Sequence, residues 1–199
     1  MNYLGSKRIV TKRLELRSQT MDEQKYLWDL LMIPEVNRYF LSVPRKFREK
    51  IKDWSIQEGI YQEKMKHAND SNVFEWGIFL KDTNECIGRI VCQEIDSNSP
   101  DIRDVGWLID PIHQNKGYVT EAATSMLEFM FNDCDITAIH TGAAIENPAS
   151  WKVMEKLGFI RQDEIVWYDY TFLDEPIQGY KYYLTKEQFL NREKYSKKE

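Results

Sequence analysis

His113-Gln114-Asn115-Lys116-Gly117-Tyr118-Val119-Thr120-Glu121-Ala122 is the stretch around which the rest of the chain is read. It follows a short strand-like run ending in Asp110-Pro111. It leads into a segment whose apolar residues fall at Val119, Ala122, Ala123, Met126, Leu127 and Met130. That spacing is the i, i+3, i+4, i+7 pattern of an amphipathic helix. One glycine therefore stands where a strand turns into a helix, among small and amide side chains. Such a junction presents backbone N–H groups without helical partners at the positive end of a helix dipole, which suits a phosphate group.

Working outward, the 199 residues suffice for one domain with a real core, so a single domain over 1–199 is expected. A hydrophobic fraction of 42% with 30% charged residues is that of an ordinary globular protein. A net charge of −5 argues against a nucleic-acid surface, which would carry a basic stripe. Cys86, Cys92 and Cys134 have neither CxxC nor metal spacing and read as reduced core thiols. The start, Met1 to Arg8, is too polar to read as a signal peptide, and no apolar run approaches the roughly 20 residues that cross a membrane. A cytoplasmic protein without a membrane partner is expected.

Arg13 to Arg17 alternates as a short strand. Thr20 with Glu23 forms a capping box opening a helix with Leu27, Leu30 and Leu31, limited by Pro34. The spacing predicts a second helix from Phe47 to Ala68, broken at Asn69-Asp70-Ser71-Asn72; Asn69 also opens a glycosylation sequon without meaning in the cytoplasm. Val73–Leu80 and Cys86–Ile95 form a hairpin, and Val105–Ile109 is a third strand, in which Gly106 suggests a bulge or a close backbone approach. Ile136–Ala143 is a strand. Asn147 as cap, Pro148 at the first helical position and Gly158 past the end frame a helix. Strands over Phe159–Tyr170 and Gln178–Leu184 precede a capped helix from Thr185, whose Lys/Glu-rich end reads as frayed. This order implies an α/β fold with a mixed sheet and helices on both faces.

There is no GxxxxGK[ST], GxGxxG or GxSxG, and His67, His113 and His140 have no metal spacing, so no metal is expected. Two strand-to-helix junctions remain, Gln114–Thr120 and Glu146–Ser150. If their strands are neighbours, both helix N-termini open at one crevice, where open α/β sheets bind ligands.

These motifs resemble the GNAT superfamily of N-acetyltransferases, in its ribosomal-protein and small-molecule branch. Gln114-x-x-Gly117-x-Val119 is similar to its acetyl-CoA loop Arg/Gln-x-x-Gly-x-Gly/Ala. Asp104-Val105-Gly106-Trp107-Leu108-Ile109-Asp110-Pro111 resembles its fourth strand, and Asn147-x-x-Ser150 with Glu155-Lys156-Leu157-Gly158-Phe159 its fourth-helix signature. The likeness covers residues 10–185. Val119 departs from it, since its β-branched side chain narrows the approach to the phosphates.

The resemblance implies acetyl-CoA as co-substrate and direct transfer of acetyl to a primary amine, on a small molecule or a protein N-terminus. It implies pyrophosphate contacts by Gln114, Asn115, Lys116, Gly117, Tyr118, Val119 and Thr120, and pairing of Trp107, Leu108 and Ile109 with pantetheine, with the Leu108 N–H polarising the thioester carbonyl. Asp104 stands where many members place a base; the plain alternative is a solvated strand-end charge, and Glu94 and Asp169 are lesser candidates. Met154 replaces a common tyrosine. Ser150 is therefore assigned to the thiolate, against a plain role in the first helical turn, and Asn147 to both capping and pantetheine. Trp167, Tyr168, Tyr170 and Phe172 serve either as core and sheet surface or as acceptor contacts. Dimerisation through the final strands follows by analogy. A non-catalytic acyl-CoA-binding sensor or complex subunit is the rival reading.

Overall fold

The structure, a computed structural model, describes residues 2–40, 43–68 and 70–195. Asn69, with the break and sequon it opens, and residues 196–199 of the Lys/Glu-rich end lie outside the described residues. The chain runs β1 (Ile9–Val10), β2 (Leu14–Arg17), α1 (Met21–Leu31), α2 (Pro34–Asn37), a 3-10 turn (Arg45–Phe47), α3 (Arg48–Lys52) and α4 (Trp54–Lys66). There follow β3 (Glu75–Leu80), β4 (Cys86–Glu94), β5 (Ile102–Ile109), a 3-10 turn (Pro111–His113) and α5 (Tyr118–Asn132). The chain continues through β6 (Ala138–Ala144), α6 (Pro148–Lys156), β7 (Ile160–Tyr168), β8 (Ile177–Thr185) and α7 (Lys186–Tyr195). The strands form one eight-stranded sheet in the order β1-β2-β3-β4-β5-β6-β8-β7.

Side-chain alternation sends successive strand residues to opposite faces, and a shift of the β3–β4 register that leaves Ile87 as an extra residue resets that alternation within β4. Ile87 and Ile90 join Ala122, Met126 and Leu127 of α5 in the main core. Phe79 and Cys86 meet Leu27 and Leu30 of α1 on the other face. Helices therefore cover both faces of a mixed sheet, as the element order implies. The helix expected over Phe47–Ala68 is two helices, because Asp53 leaves helical backbone and its Oδ1 accepts the Ser55 N–H at 3.0 Å, capping α4. Neither the bulge nor the close backbone approach suggested at Gly106 is found. The β4–β5 register is unbroken, and a Cβ there would meet only Val91 Cγ2 at 3.6 Å.

One pairing organises the site. β5 and β6 are parallel and pair only through Ile102↔Ala138, Arg103↔Ile139 and Asp104↔His140. Beyond Asp104, β5 stays with β4 and β6 with β8, so the two strands diverge. Thr141 Oγ1 donates to the Val105 carbonyl at 2.9 Å near the apex of the wedge they leave.

Candidate active site

The wedge opens into a cavity of about 870 Å³ that takes in Asp104, Trp107, the Gln114–Thr120 loop and the start of α6. Both strand-to-helix junctions thus meet at one crevice.

Ladder parity decides which backbone groups face it. The Asp110 N–H donates to the Ile87 carbonyl at 2.8 Å, one step beyond the pair Gly88↔Ile109. Opposed residues of an antiparallel ladder alternate between bonded and non-bonded pairs. Leu108, opposite Arg89, therefore spends its N–H on β4, while Trp107 and Ile109 turn theirs into the wedge. The Leu108 N–H, expected to supply the carbonyl donor, is thus directed at β4 and not at the wedge, because the β4–β5 ladder has no bulge. On the opposite wall the Ile145 N–H donates to the Gln178 carbonyl at 3.0 Å, so by the same alternation Gly142 and Ala144 face the wedge. The Ala144 N–H is taken by the Tyr170 hydroxyl at 2.9 Å.

At the open end, Asp110 Oδ1 accepts the Ile112 N–H at 3.0 Å and starts the turn that delivers the loop. Asn115 (φ 59°) and Gly117 (φ 76°) adopt left-handed backbone, which glycine takes without strain and asparagine better than most residues. Gly117 is the N-cap of α5 and provides no side-chain cap, so the N–H groups of Tyr118, Val119 and Thr120 lack both an i−4 carbonyl and a capping side chain. Gln114, Asn115, Lys116 and Gly117 are exposed, and Val119 is half-buried on the cavity wall.

The loop is anchored by residues that sequence reasoning passed over. Arg13 Nη1 donates to the Lys116 carbonyl at 2.9 Å, its Nε lies 2.6 Å from Glu121 Oε2, and its guanidinium sits 4.5 Å from the Tyr118 ring centroid. Thr11 Oγ1 donates to Glu121 Oε1 at 2.6 Å. The only sequence signals were an arginine at a strand start and a glutamate in the first turn of α5.

On the α1 face, Asp104 stands at the wedge base, and Gln93 Nε2 donates to its Oδ2 at 3.1 Å. Burial pushes its carboxyl up to about 6, against the lowering hydrogen bonds from Gln93 and the Val105 N–H. Glu94 lies one residue further along β4, on the opposite face, with its Oε2 3.6 Å from buried Arg103 Nη2. Asp169 is exposed and ion-paired with Arg45. Neither lines the cavity.

At the second junction, Asn147 Oδ1 accepts the Ser150 N–H at 3.3 Å and caps α6. Ser150 lines the cavity, and among the described residues nothing engages its hydroxyl. Met154 is buried in the core and touches the cavity from one side. The expected aromatic cluster divides between the end of β7 and the turn that follows it. Tyr168 and Tyr170 line the cavity, whereas Trp167 is 66% exposed, and Phe172, which does not line the cavity, packs at a tilt against Phe40, which does, with ring centroids 6.0 Å apart. Among the described residues no group of three or more His, Cys, Asp or Glu could hold a metal ion, and no helix is long and apolar enough to cross a membrane.

Known proteins share this architecture. A family profile described as an acetyltransferase (GNAT) domain matches residues 13–160. The uncharacterized N-acetyltransferase YnaD of Bacillus subtilis is 27% identical over 159 residues, spanning 77% of this chain and 83% of its own. Among solved structures, a GNAT-family acetyltransferase from Bacillus anthracis superposes with a TM-score of 0.70 at 20% identity, covering 91% of this chain and 99% of that one. The spermidine/spermine N-acetyltransferase SpeG of Vibrio cholerae, in mutant forms, gives 0.71 at 19% identity over 92% of this chain and 99% of that one. With the splayed strands and the glycine-led helix already located inside the matched span, the conclusion is direct: the chain belongs to the GNAT acetyltransferase family.

Proposed function

We propose that the protein is a single-domain N-acetyltransferase that moves the acetyl group of acetyl-CoA directly onto a primary amine. The observation that carries this reading is the wedge between β5 and β6, which has partnerless helix N–H groups at its mouth and a half-buried carboxylate at its base.

The chain's own groups fit acetyl-CoA. The first-turn N–H groups of α5, with the left-handed Asn115 and Gly117 curling the loop around them, suit a pyrophosphate. Val119 does not block this, because the backbone does the holding. The inward N–H groups of Trp107 and Ile109 extend the β5 edge for an amide-bearing chain and supply donors for a thioester oxygen. Acetyl-CoA, when bound, supplies the activated acyl group. Asp104 takes the proton that an ammonium must lose before it can attack, since a lysine-like amine of pKa about 10.4 is protonated at neutral pH. With its carboxyl at about 6, Asp104 is ionised at pH 7 yet more basic than an ordinary carboxylate. The Ser150 hydroxyl, on the first turn of α6, donates to the departing thiolate, and Asn147 holds that turn in place.

Calorimetric titration with acetyl-CoA, followed by thiol-release assays over an amine panel, tests this reading. Saturable binding that Gly117→Glu abolishes, together with amine-dependent thiol release, is expected. Tight binding without release for any amine would overturn the enzyme reading in favour of an acyl-CoA-binding module.

A further inference from the structure

We propose that the acceptor is a primary monoamine carried on an aromatic or otherwise apolar body, held by a wall of Tyr39, Tyr168 and Tyr170 facing the Asp104 carboxylate. This rests on the acetyl-transfer reading and adds the class of acceptor.

The wall is a built surface. The Tyr39 and Tyr170 ring centroids lie 5.8 Å apart, and those of Tyr170 and Tyr168 lie 5.7 Å apart. All three residues border the cavity, Tyr39 and Tyr168 half-buried and Tyr170 with only 3% of its surface exposed behind them. Each hydroxyl is bound to the backbone: Tyr39 donates to the Glu146 carbonyl at 2.9 Å, Tyr168 to the Tyr180 carbonyl at 3.3 Å, and Tyr170 accepts the Ala144 N–H at 2.9 Å. With the hydroxyls directed to the protein, ring faces and edges are what the wall offers a ligand. Tyr168 reaches its place because glycines lie beneath it. A Cβ on Gly142 would come within 1.8 Å of its hydroxyl oxygen, and one on Gly179 within 2.5 Å of its ring. Tyr39 is fixed from the other side, by the hydrogen bond to Glu146 and by the ion pair of Arg38 with the same residue at 2.7 Å.

Charge narrows the class. Of the described residues lining the cavity, only Asp104 and Glu35 are carboxylates, and Glu35 is exposed on α2. One ammonium can sit against the Asp104 carboxylate and the tyrosine faces, since aromatic rings attract cations through their quadrupole. A triamine would bring more ammonium groups than the two carboxylates can match, in a cavity that already carries lysines and an arginine of its own. The Lys and Arg residues that line the cavity are Arg89, Lys152, Lys156 and Lys181, of which Arg89 lies 3.6 Å from the Glu75 carboxylate and Lys181 3.6 Å from that of Glu164.

The test uses the full chain. Acetyl-CoA affinity is measured calorimetrically, and initial rates are compared for 2-phenylethylamine, butylamine, spermidine and a short peptide with a free N-terminus. We expect kcat/KM for 2-phenylethylamine to exceed those for butylamine and spermidine by about tenfold or more, within the range an apolar pocket discriminates. Tyr39→Leu should collapse the aryl-over-alkyl preference to less than about threefold without changing acetyl-CoA affinity, while Tyr39→Phe, which keeps the ring, should retain it. A preference for spermidine or the peptide overturns the proposal, as does acetyl-CoA binding without turnover of any amine. Failure to bind acetyl-CoA is a separate result, which overturns the acetyl-transfer reading and this proposal with it.

Discussion

Asp104 combines two consequences of one burial. Its carboxyl, pushed up to about 6 by desolvation, lies above the usual 3.8, so the folded state holds this proton more tightly than the unfolded chain. That contribution to stability is complete below about pH 4 and is lost as pH rises through about 6, so at pH 8 the ionised group costs the fold about 1–3 kcal/mol. Asp104→Asn should therefore raise the melting temperature at pH 8 by several degrees, on the scale of about 2–4 °C per kcal/mol. The same substitution should lower kcat/KM by about 10²–10⁴-fold, remove the rise in activity through pH 6, and leave acetyl-CoA affinity unchanged. An equal loss of acetyl-CoA binding would disqualify Asp104 as the base. Arg13 is the complementary case of a residue acting through another. Because it holds the Lys116 carbonyl and Glu121, Arg13→Ala should raise KM for acetyl-CoA by about 3- to 10-fold with kcat little altered. A fall in kcat at constant KM would contradict that role.

At the scale of elements, local chemistry was the most legible. The Thr20–Glu23 capping box forms as its spacing requires, with the Thr20 N–H donating to Glu23 Oε2 at 2.6 Å. Thr185 and Gln188 cap each other at the start of α7 in the same way. Gly158, past the end of α6, has a φ of 89°. Each of these signals depends on residues within four positions of one another. Loss of the Asn147 cap should cost about 1 kcal/mol, so Asn147→Ala is expected to lower the melting temperature by about 2–4 °C. The split at Asp53 was not legible, because the apolar stripe continues across it; only the backbone shows that Asp53 ends one helix and caps the next. Gly142 is read correctly only with β7 in view. Gly142→Ala should displace the Tyr168 ring and cost about 1–3 kcal/mol, and Tyr168→Ala in the same chain should recover part of that loss, which a double-mutant cycle measures.

Across the whole molecule, the sheet sets what is reachable. Cys86, Cys92 and Cys134 are all free and buried, and burial pushes the Cys86 thiol up to about 12 and that of Cys134 to about 11. Thiolates are the reactive form, so the native protein should resist a disulfide reagent such as Ellman's and react at three thiols only in denaturant. Fast labelling of the native chain would contradict this packing. The sequence by itself determined the element order, the helix caps, the glycine-led junction and the family resemblance, since each is written in short-range spacing. Tertiary structure alone decided that β5 and β6 separate after Asp104 and that ladder parity turns Trp107 and Ile109, not Leu108, toward the gap. It also decided that Asp104 rather than Glu94 or Asp169 lies in the cavity, and that Arg13 reaches across to the loop. These features depend on strand register and on contacts between residues more than a hundred positions apart, and side-chain periodicity carries no information about either.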